Sequence, residues 1–392
     1  MPGTEIFDQM EADAVVDVIR RKMLHRYSSH AARGGVYRVS EFETALAKRL
    51  GAKHAQAVSN GTSALFVGLK AMGIRPGDEV ITSAFTFIAT VEAIVACGAV
   101  PVLADIDETL GMAPASVESK ISPRTRAIMP VHMFGAAADM DPILALGKKY
   151  GVPVVEDSCE VTGGTYHGKA LGTFGLWGTY SFDPNKYVTV GEGGALVTDD
   201  DDLYKAAEYY HDHGHVHRLD IERGAEDKCG LGLNFRMSEI EGALGLVALK
   251  KMDFALNLLR ETKRKVLEGV KDTGLKRRVV PNPEGDIATH IVFLLPSAEA
   301  ARKFQAVTGD QGMPAALIGD NSWHYAKHWK ALNDLSGSTI GGNVAPSYAP
   351  ESMGQTESVL ARAVFYCPNL LTDDGTVEKM VAALRAGAEA VL

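Results

Sequence analysis

The chain has 392 residues, of which 46% are hydrophobic and 23% charged, a composition typical of a globular protein. This excludes a disordered chain, a collagen-like rod and a short disulfide-stapled module. The 40 Lys and Arg residues against 49 Asp and Glu give a net charge of -9, and no dense basic run is present, so the sequence argues against nucleic-acid binding.

The sequence also argues against disulfides, zinc ribbons and membrane segments. The cysteines are scattered without C-x-x-C spacing, at Cys97, Cys159, Cys229 and Cys367. The longest apolar stretch, 93–104, is shorter than the roughly 20 residues that a membrane span needs. The acidic start of the chain lacks the basic-then-apolar layout of a signal peptide, so we expect a cytoplasmic protein.

In chain order, the first elements are two helices, predicted over 9–25 and 41–50, with a basic loop between them. From there to residue 155, strands alternate with helices, which predicts a mostly parallel sheet covered on both faces. The predicted strands are 54–59, 79–82, 100–104, 126–131 and 152–155, and the predicted helices are 60–73, 87–97 and 142–150. Ligands of such sheets bind at the carboxyl ends of the strands.

The remaining elements indicate a second, smaller unit. A long helix is predicted over 237–270, followed by a strand at 290–295 and a terminal helix from Thr376. We therefore predict an α/β fold with a large domain, 1–270, whose mostly parallel central sheet lies between helices. A smaller α+β C-terminal domain is predicted over 271–392.

Several loops carry groups that suit one cofactor. The turn at 60–63 opens a helix, where free N–H groups and hydroxyls suit a phosphate, although an ordinary helix cap has the same pattern. Asp157 ends an apolar strand, where it either caps a turn or pairs with a cationic ring nitrogen. Lys186 is either a solvated loop residue or, among its aromatic and apolar neighbours, an amine whose pKa is lowered by desolvation and which is therefore nucleophilic. With the aromatic helix start at Phe87 and the hydroxyl of Ser181, this set matches the needs of pyridoxal phosphate.

Over nearly its whole length the chain resembles the DegT/DnrJ/EryC1/StrS family of pyridoxal-phosphate-dependent sugar aminotransferases, which have fold type I. The segments that carry the resemblance follow one another in the family's order. They are GVYRVSEFE, SNGTSAL, GDEVITSAFTFIAT, GAVPVLADID, MPVHMFG, VEDSCE, YSFDPNKYVTVGEGGALVTDD and GLNFRMSEIEGALG.

The resemblance implies a role for each matching residue. Lys186 would form the internal aldimine and move the proton between cofactor and substrate carbons, Asp157 would pair with the pyridinium nitrogen, and Phe87 would stack on the ring. The phosphate ligands that it implies are Thr62, Ser63, Ser181 and, reaching from the neighbouring subunit, Asn234. The last of these implies a homodimer with shared active sites.

One position departs from the family pattern. Glu160 stands three residues after the aspartate, where the family has Gln or His near the phenolic oxygen of the cofactor. We expect a cofactor contact there, made by a carboxylate that is protonated or paired with a cation.

Three further segments are candidates for substrate contacts. Arg33 lies in the basic loop at 25–38, which either meets an anionic substrate or is merely solvated. His324 lies in an aromatic cluster that is either a sugar-binding surface or ordinary packing. His215 belongs to the alternating histidines of 211–217, which an extended chain would place on one face, as in a metal site. The resemblance favours contact of this segment with substrate or solvent, and we predict no metal.

The resemblance implies transamination for amino-sugar and polysaccharide biosynthesis. Glutamate would donate the amino group and leave as 2-oxoglutarate, and a keto-sugar would accept it. The acceptor is either a nucleotide-linked keto-sugar or a keto derivative of a sugar acid such as Kdo. The alternatives are a sugar dehydratase of the same fold, in which His replaces the lysine, and a non-catalytic regulatory relative; Lys186 argues against both.

Overall fold

The computed structural model describes residues 2–27, 30–218, 221, 225–226 and 230–392. Cys229 lies outside the described residues, and Cys97, Cys159 and Cys367 are free thiols. Within the described ranges, none of the helices combines the length and the apolar character that crossing a membrane requires.

Helices and strands alternate through most of the described chain. The α-helices are α1 (Gln9–Arg21), α2 (Arg38–Leu50), α3 (Gly61–Ala71), α4 (Ile88–Ala96), α5 (Pro114–Lys120), α6 (Met140–Tyr150), α7 (Asp201–Tyr210), α8 (Glu239–Gly269), α9 (Ala298–Asp310), α10 (Lys330–Asn333), α11 (Gly354–Leu360) and α12 (Asp374–Val391). The strands are β1 (His54–Val58), β2 (Glu79–Ser83), β3 (Val100–Ala104), β4 (Thr125–Met129), β5 (Glu156–Asp157), β6 (Thr165–Tyr166), β7 (Lys169–Ala170), β8 (Gly178–Ser181), β9 (Gly194–Thr198), β10 (Ile291–Leu294), β11 (Ala316–Leu317), β12 (Thr339–Ile340), β13 (Asn343–Val344) and β14 (Ala363–Tyr366).

The central sheet is mostly parallel, as the sequence predicts. Strands β1, β9, β8 and β5 are neighbours in that order, and β3, β2 and β4 form the other part of the sheet. Two parallel bridges, from Ile128 to Val154 and from Val131 to Asp157, join β4 to the β5 segment. Strand β9 runs antiparallel to both β1 and β8, whereas the other pairs are parallel.

Helices cover both faces of this sheet. Along β9, Ala195 and Val197 pack with α2 and α8 in one core cluster, whereas Leu196 packs with α3, α4 and α7 in another. Successive side chains of a strand point to opposite faces, so these two clusters lie on opposite sides of the sheet. The strands read as continuous apolar runs because they are buried on both faces.

A smaller antiparallel sheet with the order β10, β14, β11 lies in the C-terminal part of the chain. Residues of α9 and α12 pack on it, together with Val266 and Val270 from the end of α8. Residues between 326 and 353, among them Trp329 and Tyr348, pack instead with β2, β3 and α6 of the central sheet. The division at 270/271 stays a prediction.

One predicted strand is misplaced. The apolar run 152–155 contributes only the bridge at Val154, and the ladder proper begins at Glu156. Pro153 has no N–H to donate, which weakens pairing along this run. Glu156 is buried as a charged residue because its carboxylate accepts hydrogen bonds from the backbone N–H groups of Gly172, Phe174 and Gly175, at 2.6 to 2.8 Å.

Candidate active site

Three loops meet at one edge of the central sheet. They are the start of α3, the residues after β5 and the end of β8. A Cβ atom added to Gly61 would lie 2.9 Å from the Cβ of Ser181 and 3.1 Å from the Sγ of Cys159. Only a glycine allows this approach, and it brings together the segments that carry the predicted phosphate ligands and Asp157.

The start of α3 is a capped helix N-terminus. The side chain of Asn60 caps the helix by accepting a hydrogen bond from the N–H of Ser63 at 2.7 Å. Ser63 is buried, with its Oγ 3.1 Å from that of Ser59, and Thr62 is exposed in the first turn. Helix N-termini present N–H groups and a positive dipole to anions, which suits the phosphate contacts predicted for Thr62 and Ser63.

Asp157 is a buried, oriented carboxylate. Its Oδ2 accepts a hydrogen bond from the Thr90 hydroxyl at 2.6 Å, and its Oδ1 accepts one from the N–H of Cys159 at 3.2 Å. Thr90 has one proton to give, so in this arrangement the hydroxyl of Thr86, 2.6 Å away, donates to Thr90. A charged acceptor held this way suits pairing with a protonated ring nitrogen.

Lys186 lies among carboxylates. Its Nζ is 3.6 Å from Oε1 of Glu160 and 3.7 Å from Oδ2 of Asp183, and Asp183 also accepts a hydrogen bond from the hydroxyl of Ser181 at 3.2 Å. Burial lowers the pKa of Lys186, but the charges of Glu160, Asp183 and other acidic neighbours outweigh burial and raise it. The expectation of a lowered pKa at Lys186 is therefore wrong, because the sequence does not show which carboxylates fold against the amine.

Glu160 is held by cations and by a backbone donor. Its Oε1 is 3.1 Å from Nε2 of His324, and its Oε2 accepts a hydrogen bond from the N–H of Phe134 at 3.1 Å. Burial raises the pKa of Glu160, but the charges of Lys186 and His324 prevail and hold it well below its ordinary value. Of the two forms expected from the sequence, the structure favours the carboxylate paired with cations.

The segment 323–325 runs beside the start of α4 like a short strand. The N–H of Thr86 donates to the carbonyl of His324 at 2.8 Å, and that of Ile88 donates to the carbonyl of Trp323 at 3.2 Å. This pairing stacks the exposed ring of Phe87 parallel to that of Trp323, with centroids 6.0 Å apart. Tyr325 is buried packing, whereas His324 faces Glu160, and a sugar contact by His324 stays a prediction.

The ring of His324 faces two acceptors. Its Nδ1 is 3.1 Å from Oδ1 of Asn321, and that oxygen also accepts the N–H groups of Trp323 and His324 at 3.0 and 3.1 Å. These backbone donors identify the Asn321 atom as the oxygen. Because Nε2 faces the Glu160 carboxylate, a doubly protonated, cationic ring satisfies both contacts.

Arg33 and Asn234 contact neighbours within their own part of the fold. The buried Arg33 guanidinium lies 3.5 Å from a Glu239 oxygen and 4.9 Å from the centroid of the Tyr37 ring. Asn234 accepts a hydrogen bond from the N–H of Arg236 at 3.3 Å. Substrate binding by Arg33 and the reach of Asn234 into a neighbouring subunit stay predictions.

The histidine segment 211–217 is not extended, so its alternation does not place four rings on one face. His213 has a φ of 55° in a tight turn. His215 Nδ1 lies 2.5 Å from Oε1 of Glu226, and His217 stacks on Tyr27 with centroids 3.5 Å apart. No group of three metal-ligating side chains is found in the part of the chain that the structure describes. A substrate contact by His215 stays a prediction.

Several residues at the site escaped the sequence analysis. Asp183 could have been found from its place two residues after Ser181, in a DPN turn next to Lys186. Thr90, Phe134 and Asn321 carried no signal, because their roles depend on contacts with distant residues.

Taken together, the donor set fits pyridoxal phosphate. An amine faces one side of the site, a buried carboxylate lies at the end of β5, a helix N-terminus suits the phosphate, and an exposed aromatic ring is available for stacking. With the mixed seven-stranded sheet, these groups define a pyridoxal-phosphate protein of fold type I.

Comparisons with known proteins assign the family. The chain belongs to the DegT/DnrJ/EryC1/StrS aminotransferase family, whose model matches residues 20–332. It is 44% identical to the GDP-perosamine synthase of Caulobacter vibrioides over 216 residues, which are 55% of this chain and 57% of that protein. The match thus spans little more than half the length of that relative.

Solved structures cover nearly the whole chain. The aminotransferase from Psychrobacter cryohalolentis is 26% identical with a TM-score of 0.83 and 98% of each chain covered. S. venezuelae DesV in complex with a ketimine intermediate is 27% identical with a TM-score of 0.79, covering 97% of this chain and 95% of that one. The fold and the cofactor predicted from the sequence are confirmed.

Proposed function

We propose that this protein is a transaminase that moves an amino group from glutamate to a keto-sugar during amino-sugar biosynthesis. The observation that carries the proposal is the convergence of Lys186, Asp157 and the start of α3 at one edge of the sheet, where Asp157 is close enough to raise the pKa of the amine. Family membership supports the same reaction.

Each residue has a defined task in this proposal. Pyridoxal phosphate, when bound, supplies an electron sink for electrons released at the substrate carbon. The Nζ of Lys186 takes and returns the proton at that carbon, which is general acid–base catalysis by a positioned amine. Asp157, fixed by Thr90, would hold a proton on the ring nitrogen, and Phe87 would stack against the ring. The start of α3, with Ser181, binds the phosphate.

For the acceptor, we favour a nucleotide-linked keto-sugar, because the 44% identical relative is named a GDP-perosamine synthase. A keto derivative of a sugar acid such as Kdo is the second candidate. His324 and Trp323 line the outer side of the site beside Phe87 and are proposed to contact the sugar. We further propose a homodimer in which Asn234 completes the phosphate site of the neighbouring subunit.

Spectroscopy of the reconstituted protein tests the proposal. Wild type should show a visible absorption band at about 420 nm, which glutamate should bleach and an accepted keto-sugar should restore. Testing a panel of nucleotide-linked and acidic keto-sugars for this restoration identifies the acceptor. Lys186→Ala should lose both the band and turnover, whereas Lys303→Ala, at an exposed lysine of α9, should keep both. Turnover by the Lys186→Ala variant would refute the assignment.

The same assay separates the alternatives. A dehydratase would release a product that has lost a hydroxyl group and gained no nitrogen, which mass spectrometry detects. A non-catalytic regulator would give no glutamate-dependent spectral change with any acceptor. Lys186 in place of the His of the dehydratases favours transamination over both.

A further inference from the structure

A cationic cleft of about 640 Å³ lies between α8 and the segment 277–292, outside the group of residues around Lys186. Five basic side chains line it, against two carboxylates, Glu284 and Asp286. The basic residues are Arg260, Lys263, Arg264, Arg277 and Arg278. In a chain whose net charge is -9, this is a local excess of positive charge.

Only part of this charge is neutralised within the chain. The Nζ of Lys263 lies 2.5 Å from Oδ2 of Asp286, and Arg264 pairs with Glu261 of its own helix at 2.8 Å. Among the described residues, by contrast, no carboxylate lies within 4.0 Å of the guanidinium groups of three arginines. These are Arg260, Arg277 and Arg278.

Arg278 is the buried member of this set. Its Nη1 donates to the carbonyl of Met133 at 3.0 Å, while its Nε is buried without a hydrogen-bond partner among the described residues. Burial lowers the pKa of Arg278 to about 10, and the charge of Asp286 offsets this only in part. Burial also lowers the pKa of Lys263; its contact with Asp286 opposes this shift, and the charges of Arg278 and Arg277 add to it. The cleft therefore holds cations that lack counter-ions.

We propose that this cleft is a binding site for a phosphate-bearing ligand, separate from the site at Lys186. Guanidinium groups present paired N–H donors that match phosphate oxygens, and a phosphate with two charges would give the three arginines the counter-ion that the described residues do not supply. The volume of the cleft falls within the range of small-molecule sites and admits a diphosphate or a nucleotide.

The cleft lies behind the wall of the active site. The Nζ of Lys263 donates to the carbonyl of His290 at 2.8 Å, and the ring of His290 stacks on Phe134 with centroids 4.1 Å apart. Phe134 in turn donates its N–H to Glu160. The two sites thus share a wall, and the test must distinguish anion binding in one from binding in the other.

The test is calorimetric titration of the cofactor-loaded protein at constant ionic strength with inorganic phosphate, pyrophosphate and a nucleoside diphosphate. Loading is verified first by the visible band, so a failure of the proposed function is seen before any anion is added. We expect saturable binding that weakens about tenfold in Arg260→Ala and in Arg277→Ala, since each removes charge-assisted hydrogen bonds. Both residues are exposed, so both variants should fold.

The matched control is Arg302→Ala, at an exposed arginine of α9 that does not line the cleft; it should bind like wild type. A nucleoside diphosphate that binds more tightly than pyrophosphate identifies a nucleotide as the occupant, and a nucleoside diphosphate that binds no more tightly identifies an inorganic phosphate or diphosphate; either result supports the site. The proposal is overturned if no anion binds saturably, or if Arg260→Ala and Arg277→Ala bind as tightly as wild type, because the anion then occupies another site.

Discussion

Replacing Glu160 with Gln tests whether this carboxylate controls the charge of the nitrogen on Lys186. Glutamine keeps the shape of the side chain and an oxygen that can accept the N–H of Phe134, but it removes the negative charge 3.6 Å from Nζ. The change therefore isolates charge from packing. We expect the nitrogen of Lys186 to hold its proton less strongly in Glu160→Gln.

The expected size follows from the geometry. Two unit charges 3.6 Å apart attract by about 5 kcal/mol at an effective dielectric constant of about 20. Asp183 remains 3.7 Å from the amine, and a quarter of the Lys186 side chain is exposed, so much of this energy will be compensated by other charges and by water. We expect the pH midpoint of the visible band of the reconstituted protein to fall by about one pH unit.

The assay is a spectroscopic pH titration of wild type, Glu160→Gln and His324→Asn. Removing His324 takes a cation away from Glu160, so the midpoint of His324→Asn should not fall and should move upward if it moves at all. The midpoint should thus fall in Glu160→Gln but not in His324→Asn, a difference that a general loosening of the site would not produce. An unchanged or higher midpoint in Glu160→Gln would refute the reasoning.

Three further changes probe the surroundings of the site. Burial lowers the pKa of His290 to about 3, whereas the pKa of histidine in an unfolded chain is about 6.5. The unfolded chain therefore binds the proton first, and the free energy of unfolding should fall as the pH drops from about 6.5 to about 3. His290→Gln should flatten this pH dependence in denaturant titrations. Thr90→Val removes the hydroxyl that donates to Asp157 and should cost about 1–3 kcal/mol of unfolding free energy relative to Thr90→Ser; equal stability would contradict this hydrogen bond. Gly194→Ala places a Cβ 2.3 Å from backbone atoms of Asn60, the residue that caps α3. The Tm of this variant should therefore fall by several degrees, and its affinity for the cofactor should drop. The control Gly354→Ala, whose Cβ meets open space, should change neither quantity.

The fold was largely predictable because its strands carry a strong signal. The strand over 100–104 is found at its predicted bounds, since an apolar run between a glycine turn and an aspartate leaves little choice of register. The strand at β5 could not be placed, because Glu156 is a charged residue that only its tertiary hydrogen bonds make suitable for burial. Hydropathy patterns cannot anticipate a carboxylate satisfied by a loop that begins 16 residues later.

At the candidate site, sequence motifs indicated residues that the structure brings together, but not how their charges influence one another. The family pattern and the strand ends indicated Lys186, Asp157 and Glu160. The pKa direction of Lys186 depends on the sum of burial and charge, and the charges come from residues whose positions only the fold determines. The partner of Glu160 is His324, 164 residues away, so no local pattern could show that the carboxylate is paired rather than protonated.

This pairing makes the surroundings of Lys186 depend on a distant segment of chain. The backbone of His324 is fixed by its hydrogen bond from Thr86, next to the ring-stacking position of Phe87, and the side chain is fixed by Asn321. A change at Asn321 would leave Lys186 and Glu160 themselves unaltered, yet it would remove the acceptor that orients the His324 ring toward Glu160. Two regions therefore control the charge at Lys186. The loop after β5 supplies the Glu160 carboxylate, and the segment 321–324 determines how much of the negative charge of Glu160 acts on the amine.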